Sequence, residues 1–356
     1  IIIMPYYPGL NYAKELSKEK KYVRDRLVDL KNALAASVPK KTVEESLLLA
    51  TWNIREFDSE KYGPRLESTY YYMAEIISHF DLVAIQEVRD DLTAFKKLMR
   101  ILGFNWEYVI SDITEGKAGN GERMAFVYDK RKVRFTNMAG ELVLPEKKGT
   151  HVLQFARTPY IVSFQSGWFK FNITTAHAYY GKGKPGIKRR VNEIREAALF
   201  LKRRADRESK MVQQKKDLVS KWDNYNYILL GDFNIISRED ETFKALTQGT
   251  KFFIHEGVMK NQLKGTNVKQ DMYYDQIAFF KNSDLIEMGD GAGVFDFFDY
   301  VFKEEDFDHY RSMMQTKGAK TLKSFKEWRT YQMSDHLPLW VEMKIDFSRK
   351  YLGEIK

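Results

Sequence analysis

The chain has 356 residues, of which 44% are hydrophobic, so it can bury either one large core or two ordinary ones. It has no cysteine, which excludes disulfides, thiolate metal sites and a cysteine nucleophile, and leaves carboxylates, amides and histidines as possible metal ligands. The 58 Lys and Arg residues exceed the 49 Asp and Glu residues, and the resulting net charge of +9 favours a polyanionic partner or, about as often, simple solubility.

The N-terminal residues predict an amphipathic helix over 12–36. Its apolar residues recur three, four and seven positions apart: Leu16, Val23, Leu27, Leu30 and Leu34. Pro39 interrupts this pattern, because the residue before a proline disfavours helix. We therefore expect a helical extension over 1–45 and a main domain that begins near Leu47.

From Leu47 onward, strand-like apolar runs alternate with helical patterns. The runs are "SLLLATWNI", "DLVAIQEV", "MAFVYD", "PYIVSF", "FKFNITTAHA", "YNYILLGDFN", "YYDQIAFF" and "LPLWVEMKI". The helical patterns cover 65–79, 91–101 and 187–221. Several strands are continuously apolar, which is typical of sheets covered by helices. The sequence thus predicts layered α and β structure, and no linker or repeat requires a division.

Most of these runs end in side chains that can bind a metal or move a proton. These side chains are Asn53, Arg55, Glu87, Arg89, His177, Asp232, Asn234, Asp275, Asp335 and His336. Each one alone is as well explained as a cap, a turn residue or a solvated charge. Their recurrence favours a shared cleft, because strand ends aim side chains to one place and buried carboxylates need a metal or a donor.

The motifs "WNI", "QE", "GDFN" and "SDH", in this order and in these strand contexts, resemble the endonuclease/exonuclease/phosphatase superfamily over about 47–345. The match is closest to deoxyribonuclease I-like nucleases, since "WNIREF", "IQEVRD", "GERMAFVY", "ARTPYIVSF", "YDQIAF" and "FDFFDYVF" follow in the expected order. The resemblance implies an α/β (α+β) fold class, a four-layer α/β/β/α sandwich over 46–348, followed by a C-terminal tail at 349–356.

The resemblance also implies a metal site. It assigns metal binding to Asn53, Glu87, Asp232, Asn234 and Asp335. Oxygen-only ligands suit Mg²⁺, with Mn²⁺ as the alternative. The number of ions stays open, and no acidic loop matches a structural calcium site.

Proton transfer is the role that the resemblance gives to two histidines. It pairs His177 with Glu122 and His336 with Asp275, and the catalytic set is completed by Asp232 and Asn234. A positioned imidazole typically contributes about 10²- to 10⁴-fold to a rate. Either histidine alone is more often structural, and the matched carboxylates reverse that preference. Which histidine is the base stays open.

Substrate contacts are implied for Arg55, Arg89, Arg157 and Asn234, because a guanidinium fork binds phosphate oxygens without reading base sequence. The implied activity is Mg-dependent hydrolysis of phosphodiesters. The implied substrate is double-stranded DNA, which the enzyme would nick with little sequence preference. The family's groove-contacting tyrosine is replaced by Asn120. The basic pattern over 187–221 is either a solvated face or an auxiliary DNA contact.

Other functions of the same superfamily stay open. A phosphatase or a phospholipid or inositol phosphodiesterase would use the same metal site, and the arginines and the charge argue against it. Abasic-site repair enzymes of this superfamily lack the first histidine, so His177 argues against that function. A catalytically inactive binding protein is the least favoured alternative, because every metal and proton-transfer position is intact. We expect DNA as partner, no membrane association and a monomer. No apolar run reaches a membrane span and no signal peptide is evident, so an intracellular location is slightly favoured over a secreted mature form.

Overall fold

The computed structural model describes residues 5–17, 19–57, 59–116, 118–145, 152–214, 222, 225–260, 264–281, 285–314 and 324–355. The strands β1 to β12 span Ser46–Phe57, Leu82–Val88, Trp106–Ile110, Arg123–Asp129, Arg134–Glu141, Tyr160–Ser166, Phe169–His177, Asn226–Asp232, Phe252–Ile254, Asp275–Phe280, Met288–Val294 and Leu339–Lys344. The helices α1 to α10 span Gly9–Tyr12, Lys20–Ser37, Glu67–Ser78, Thr93–Leu102, Gly183–Gln214, Glu241–Thr247, Glu256–Lys260, Phe307–Tyr310, Phe325–Gln332 and Ser348–Leu352. Short 3₁₀ turns lie at Lys14–Leu16, Glu60–Tyr62, Phe297–Asp299 and Glu304–Asp306.

Within the described residues, these strands form two six-stranded mixed sheets. The first has the order β11-β12-β1-β2-β4-β3 and the second β5-β6-β7-β8-β10-β9. The central pairs β1/β2 and β7/β8 are parallel, and the pairs that flank them are antiparallel. Parallel neighbours need a crossover connection, and the helices α3 and α5 supply it.

Strand β1 shows why the sheets are stacked between helices. Its alternate residues point to opposite faces, and both faces are buried. Leu47 and Leu49 belong to the core shared with the second sheet, whereas Leu48 and Ala50 pack in the core formed with α2, α3 and α4. Helix α5 covers the second sheet through apolar residues such as Leu201. The predicted four-layer α/β/β/α sandwich is therefore confirmed.

The predicted N-terminal helix is broken into pieces. Helix α1 ends at Tyr12, a 3₁₀ turn follows, and α2 begins at Lys20. Val38, the residue before Pro39, is extended and ends α2 where the proline requires it. Helix α2 packs on α3 and on the 3₁₀ segment at 304–306, where Arg26 binds Asp306 at 2.5 Å. The division of the chain at residue 45 stays a prediction.

Other predicted helices fall close to their expected places. Helices α3 and α4 lie within two residues of the expected bounds, and α5 begins at Gly183, four residues earlier than predicted. The predicted continuation over 215–221 lies outside the described residues. The C-terminal tail carries the short helix α10, whose Tyr351 ring lies 5.2 Å from that of Trp168. None of the helices in the described ranges has the length and hydropathy that a bilayer crossing requires.

Candidate active site

Three site residues lie in one row across neighbouring strands of the second sheet. His177 pairs with Asp232 in the parallel β7/β8 ladder, and Asp275 pairs with the same Asp232 in the antiparallel β8/β10 ladder. The row falls where β7 and β8 end and β10 begins. All three side chains are buried. Strand register alone therefore brings together residues that are far apart in sequence.

Each of the two predicted histidines is held by a carboxylate. Nδ1 of His177 lies 2.8 Å from Oε2 of Glu122, and Nδ1 of His336 lies 2.8 Å from Oδ2 of Asp275. The other ring nitrogens, both Nε2, lie 3.4 Å and 3.7 Å from Oδ2 of Asp232. The two imidazoles thus converge on one carboxylate from two sides, and Nε2 of each ring faces Asp232.

The charges in this group favour protonated imidazoles. Burial would lower the pKa of His336, but the charges of Asp275 and Asp232 raise it well above its ordinary value. Burial and the charge of Arg157 would lower the pKa of His177, but Glu122 and Asp232 raise it. Burial would raise the pKa of Asp232, and the two histidines lower it. The arrangement therefore favours the ionised form of Asp232 and stabilises a proton on either ring.

Asn53, Glu87 and Asp232 form the group that could hold a metal ion. Nδ2 of Asn53 donates to Oε1 of Glu87 at 3.0 Å and to Oδ2 of Asp232 at 2.9 Å. The other atom of the amide, Oδ1, is buried and accepts no hydrogen bond from any residue that the structure describes. Burial and the nearby charge of Glu122 raise the pKa of Glu87, so the anions here repel one another. An oxygen-binding divalent cation would satisfy the amide oxygen and offset the repulsion, so the donor set fits such an ion.

A second group shares Asp232. One ligand atom each of Asp232, Asp275 and His336 lies within 4.8 Å of the others. The contact of His336 with Asp275 accounts for most of this closeness. Because Asp275 binds the imidazole directly, the group with Asn53 and Glu87 is the better candidate for a metal.

Asn234 and Asp335 differ in how deeply they enter the site. Asn234 has a left-handed backbone with φ of 51°, and its N–H donates to Oδ1 of Asp232 at 2.8 Å. Its Nδ2 donates to the carbonyl of Ala178 at 3.0 Å. Asp335 lies on the rim with 43% of its side chain exposed, and its Oδ2 is 3.5 Å from Nε of Arg55. The structure therefore places Asn234 in contact with Asp232 of the candidate metal group, and Asp335 beside Arg55.

The three predicted substrate arginines all have protein partners. Arg157 binds Glu122 with two nitrogens, at 2.6 Å and 3.1 Å. Because Glu122 also binds His177, Arg157 helps to hold Glu122 in position against that histidine. The charges of His177 and Arg157 outweigh burial and hold the pKa of Glu122 well below its usual range.

Of the other two, Arg55 is partly exposed and Arg89 is buried. Arg55 donates to Oγ1 of Thr330 at 2.7 Å and to the Tyr331 hydroxyl at 2.6 Å, and its guanidinium stacks 3.9 Å from the Tyr331 ring centroid. Arg89 binds the Glu56 carboxylate and the carbonyl oxygen of Asn120. Neither pairing was expected from the sequence.

Comparison with known proteins identifies the family of this chain. Residues 50–302 match the model of the Endonuclease/Exonuclease/phosphatase family. The chain belongs to this family. Deoxyribonuclease-1 from Equus caballus is 28% identical over 58% of the chain, and deoxyribonuclease-1 from Bos taurus is 27% identical over 53%. The matched segments span 66% and 61% of those relatives' own lengths.

A solved structure supports the fold. An endonuclease/exonuclease/phosphatase family protein from Bacteroides thetaiotaomicron superposes with a TM-score of 0.53 at 18% identity, over 86% of this chain and 97% of that one. At this identity the likeness concerns the fold alone.

In this family member, Ser334 is a site residue that the sequence did not suggest. Its Oγ donates to the carbonyl oxygen of Asn53 at 2.6 Å and accepts from the backbone N–H groups of Arg55 at 3.1 Å and His336 at 3.0 Å. The side chain is buried. Ser334 therefore joins the end of β1 to the loop that carries His336. Its position within the "SDH" motif was the available signal.

Arg190 on α5 is a second residue that sequence reasoning missed. It is buried and donates to three carbonyl oxygens: that of Asn234 at 2.8 Å, that of Tyr179 at 3.0 Å and that of Gly181 at 3.3 Å. It thus ties the segment after His177 to the segment after Asp232. In the sequence, Arg190 is one of several cations in a basic run, so the burial of this particular side chain could not be predicted.

Three other described cations on α5 are paired with carboxylates along the helix. Arg189 binds Glu193, Lys202 binds Asp206, and Arg204 binds Glu208, each four residues apart. Such pairs are typical of a solvated helix face. They favour that interpretation of the basic pattern over an auxiliary DNA contact.

Proposed function

We propose that this family member is a Mg-dependent endonuclease that nicks double-stranded DNA with little sequence preference. The observation that carries the proposal is the pair of carboxylate-bound histidines that converge on Asp232. Hydrolysis of a phosphodiester needs a base for the attacking water and an acid for the leaving oxygen. Two imidazoles with free Nε2 atoms at one site supply one candidate for each task.

The carboxylates fix what each histidine can do. Glu122 and Asp275 accept from Nδ1, so each ring presents Nε2 to the cleft, where it can take or give a proton. Arg157 in turn holds Glu122 in place. The charge on Asp232 stabilises whichever ring is protonated at a given stage. Which of His177 and His336 is the base and which is the acid is a question for experiment.

Asn53, Glu87 and Asp232 would hold the divalent cation, and Oδ1 of Asn53, which has no hydrogen-bond partner in the described part of the chain, would be one of its ligands. When bound, such a cation stabilises the negative charge on the non-bridging phosphate oxygens. Mg²⁺ suits the site because it needs few protein carboxylates and keeps several waters. Asn234, which touches Asp232, orients the phosphate.

DNA is the proposed substrate for three reasons. The matched relatives are named deoxyribonucleases, the net charge is +9, and Arg55 lies beside the partly exposed Asp335 while Arg89 lines an open cavity. Phosphate contacts of arginines position a duplex without reading its sequence. Because Asn120 offers no ring, we expect weak dependence on minor-groove width. We also propose that the protein acts as a monomer, which light scattering would test.

The test compares supercoiled plasmid, sphingomyelin and inositol phosphates as substrates in Mg²⁺, in Mn²⁺ and in EDTA. We expect plasmid nicking that requires the cation, and similar rates on A-tract and mixed-sequence duplexes. Binding should weaken steeply with salt, because each neutralised phosphate releases about 0.9 counterion. Full activity in EDTA would contradict the metal assignment. Turnover of the lipid or the inositol phosphates without nicking would make the protein a phosphatase or lipid phosphodiesterase instead.

A further inference from the structure

Glu56 lies in an irregular part of β1, next to the candidate metal group. The register between β1 and β2 shifts between Asn53 and Phe57, and Glu56 has a left-handed backbone with φ of 48°. This conformation is uncommon for a residue other than glycine. The backbone N–H of Glu56 donates to Oε2 of Glu87 at 2.8 Å. The main chain of Glu56 is thus anchored on Glu87, and its side chain is aimed along the cleft wall.

The Glu56 carboxylate lies between two cations. Oε2 accepts from Nη2 of Arg89, and Oε1 lies 3.3 Å from Nζ of Lys61. Only 14% of the Glu56 side chain and 10% of the Arg89 side chain are exposed. The carboxylate is therefore bound to the arginine that sequence reasoning assigned to substrate.

These side chains line an open cavity of about 440 Å³. Its wall also includes Asp91 and Asn120. The cavity is large enough for a ligand group to approach Arg89 and Lys61. A guanidinium fork binds a carboxylate and a phosphate with the same geometry, so an incoming phosphate and Glu56 compete for the same donors.

We propose that Glu56 is a specificity-determining residue whose carboxylate takes the place of a flanking substrate phosphate on Arg89 and Lys61. This inference rests on the proposed function, since it concerns the second phosphate of a polymeric phosphodiester. A duplex must displace Glu56 to gain these two cations, whereas a ligand with one phosphate at the metal site leaves the ion pair intact. Glu56 therefore lowers the affinity for polyanions and sets how many phosphates the cleft wall engages.

The experiment measures binding of a fluorescent 20-base-pair duplex by anisotropy, in EDTA, between 50 and 200 mM salt. The variants are Glu56→Gln and, as a matched control, Asp91→Asn. The control removes the same charge from the same cavity, but Asp91 contacts Thr93 instead of a cation. We expect Glu56→Gln to bind about 3- to 10-fold more tightly, with a salt slope steeper by about 0.9 for one added phosphate contact. Asp91→Asn should change affinity less and leave the slope unchanged.

A double-mutant cycle with Arg89→Ala locates the effect. If Glu56 masks Arg89, most of the gain from Glu56→Gln disappears when Arg89 is absent, because residues in contact are not additive. Glu56→Ala is the second variant, in case the glutamine still binds Arg89 or the protein is destabilised. Weaker binding by both Glu56 variants, a gain equal to that of Asp91→Asn, or a gain that survives Arg89→Ala would overturn the proposal.

Binding of inorganic pyrophosphate, measured by calorimetry in EDTA, separates this proposal from the proposed function. Wild-type protein that does not nick DNA refutes the endonuclease assignment, while tighter pyrophosphate binding by Glu56→Gln than by Asp91→Asn still supports the masking. Nicking by the wild-type protein, with no difference between the two variants on either ligand, refutes the masking alone.

Discussion

The hydroxyl of Ser334 donates to the carbonyl oxygen of Asn53 at 2.6 Å, although the two residues lie 281 positions apart. The Oγ of Ser334 also accepts from the backbone N–H groups of Arg55 and His336. One buried hydroxyl therefore joins the candidate metal group to the loop that carries His336. Ser334→Ala leaves those N–H groups and one carbonyl unsatisfied. We expect a loss of about 1–3 kcal/mol in the free energy of unfolding.

The same substitution should lower the nicking rate, since both Asn53 and His336 lose their link. Urea unfolding and plasmid nicking of the same preparation measure the two effects. Ser163→Ala is the control, because Ser163 makes a buried hydrogen bond to Asn172 in the β6/β7 pair, away from the cleft. A rate loss in the control as large as that in Ser334→Ala would contradict the assigned link.

Glu87→Gln should abolish most of the metal response. A cation that binds only the folded state raises the melting temperature, and the increase grows with the ratio of free cation to its dissociation constant. We expect Mg²⁺ or Mn²⁺ to raise the melting temperature of the wild-type protein and to have little effect on the variant, whose nicking is nearly lost. Glu107→Gln is the control, because Glu107 pairs with Lys130 on an exposed surface. An equal cation response in wild type and Glu87→Gln would remove Glu87 from the metal site.

His177→Ala and His336→Ala should each lower the nicking rate by at least about 10²-fold. The double variant should lose much less than the product of the two effects, because groups that act in one step are not additive. Single-turnover rates of supercoiled-plasmid nicking compare the wild-type protein with the single and double variants. Fully multiplicative losses would show that the two histidines serve separate steps.

Arg190→Met should lower kcat more than it changes KM. Its guanidinium fixes the carbonyl of Asn234 from behind and does not reach the substrate, so its loss displaces the site without removing a binding contact. We expect a loss of roughly 10- to 100-fold in kcat, since small misplacements of reacting groups are costly. Arg190→Lys should restore part of it. Arg203→Met, on the same helix at an exposed position, is the control. A change confined to KM would contradict a positioning role.

The His336–Asp275 pair predicts a pH-dependent stability in metal-free protein. The nearby carboxylates raise the pKa of His336 above its ordinary 6.5, so its protonated form is favoured by folding. The contribution is complete below pH 6.5 and is lost as the pH rises through the raised pKa.

The reference for that measurement is the double variant His336→Asn with Asp275→Asn, because removal of the histidine alone would leave a buried charge without a partner. The difference in the free energy of unfolding between wild type and double variant, measured in EDTA, should fall from pH 6 to pH 9. A difference that grows over this range would reverse the assigned direction.

The sequence was informative where burial is strong on both faces of a strand. The apolar runs that predicted strands all lie in the sheets, whereas β3, β5, β9 and β11 were not predicted. Those four lie at the two edges of each sheet. An edge strand has fewer neighbours, so its residues are more exposed, as the pattern of Arg134–Glu141 shows. Without a continuous apolar run, the sequence carries little signal for such a strand.

The site shows a similar contrast. The polar strand ends could be found in the sequence because their strands are regular, and the structure places His177, Asp232 and Asp275 in one row. The partners of the arginines could not be found. Arg89 meets Glu56, and Arg55 meets Tyr331 on α9, through side-chain conformations that start from the irregular part of β1. No residue pattern in the chain encodes those conformations.

The row of His177, Asp232 and Asp275 limits where this chain can gain or lose residues. One residue inserted into β8 would turn Asp232 to the opposite face of the sheet, away from both histidines, because side chains alternate along a strand. The turn between β6 and β7 has no such limit, since it lies at the opposite end of β7 from His177 and its length does not alter this row. Relatives that keep the chemistry should therefore vary in length between the strands and conserve length within β7, β8 and β10.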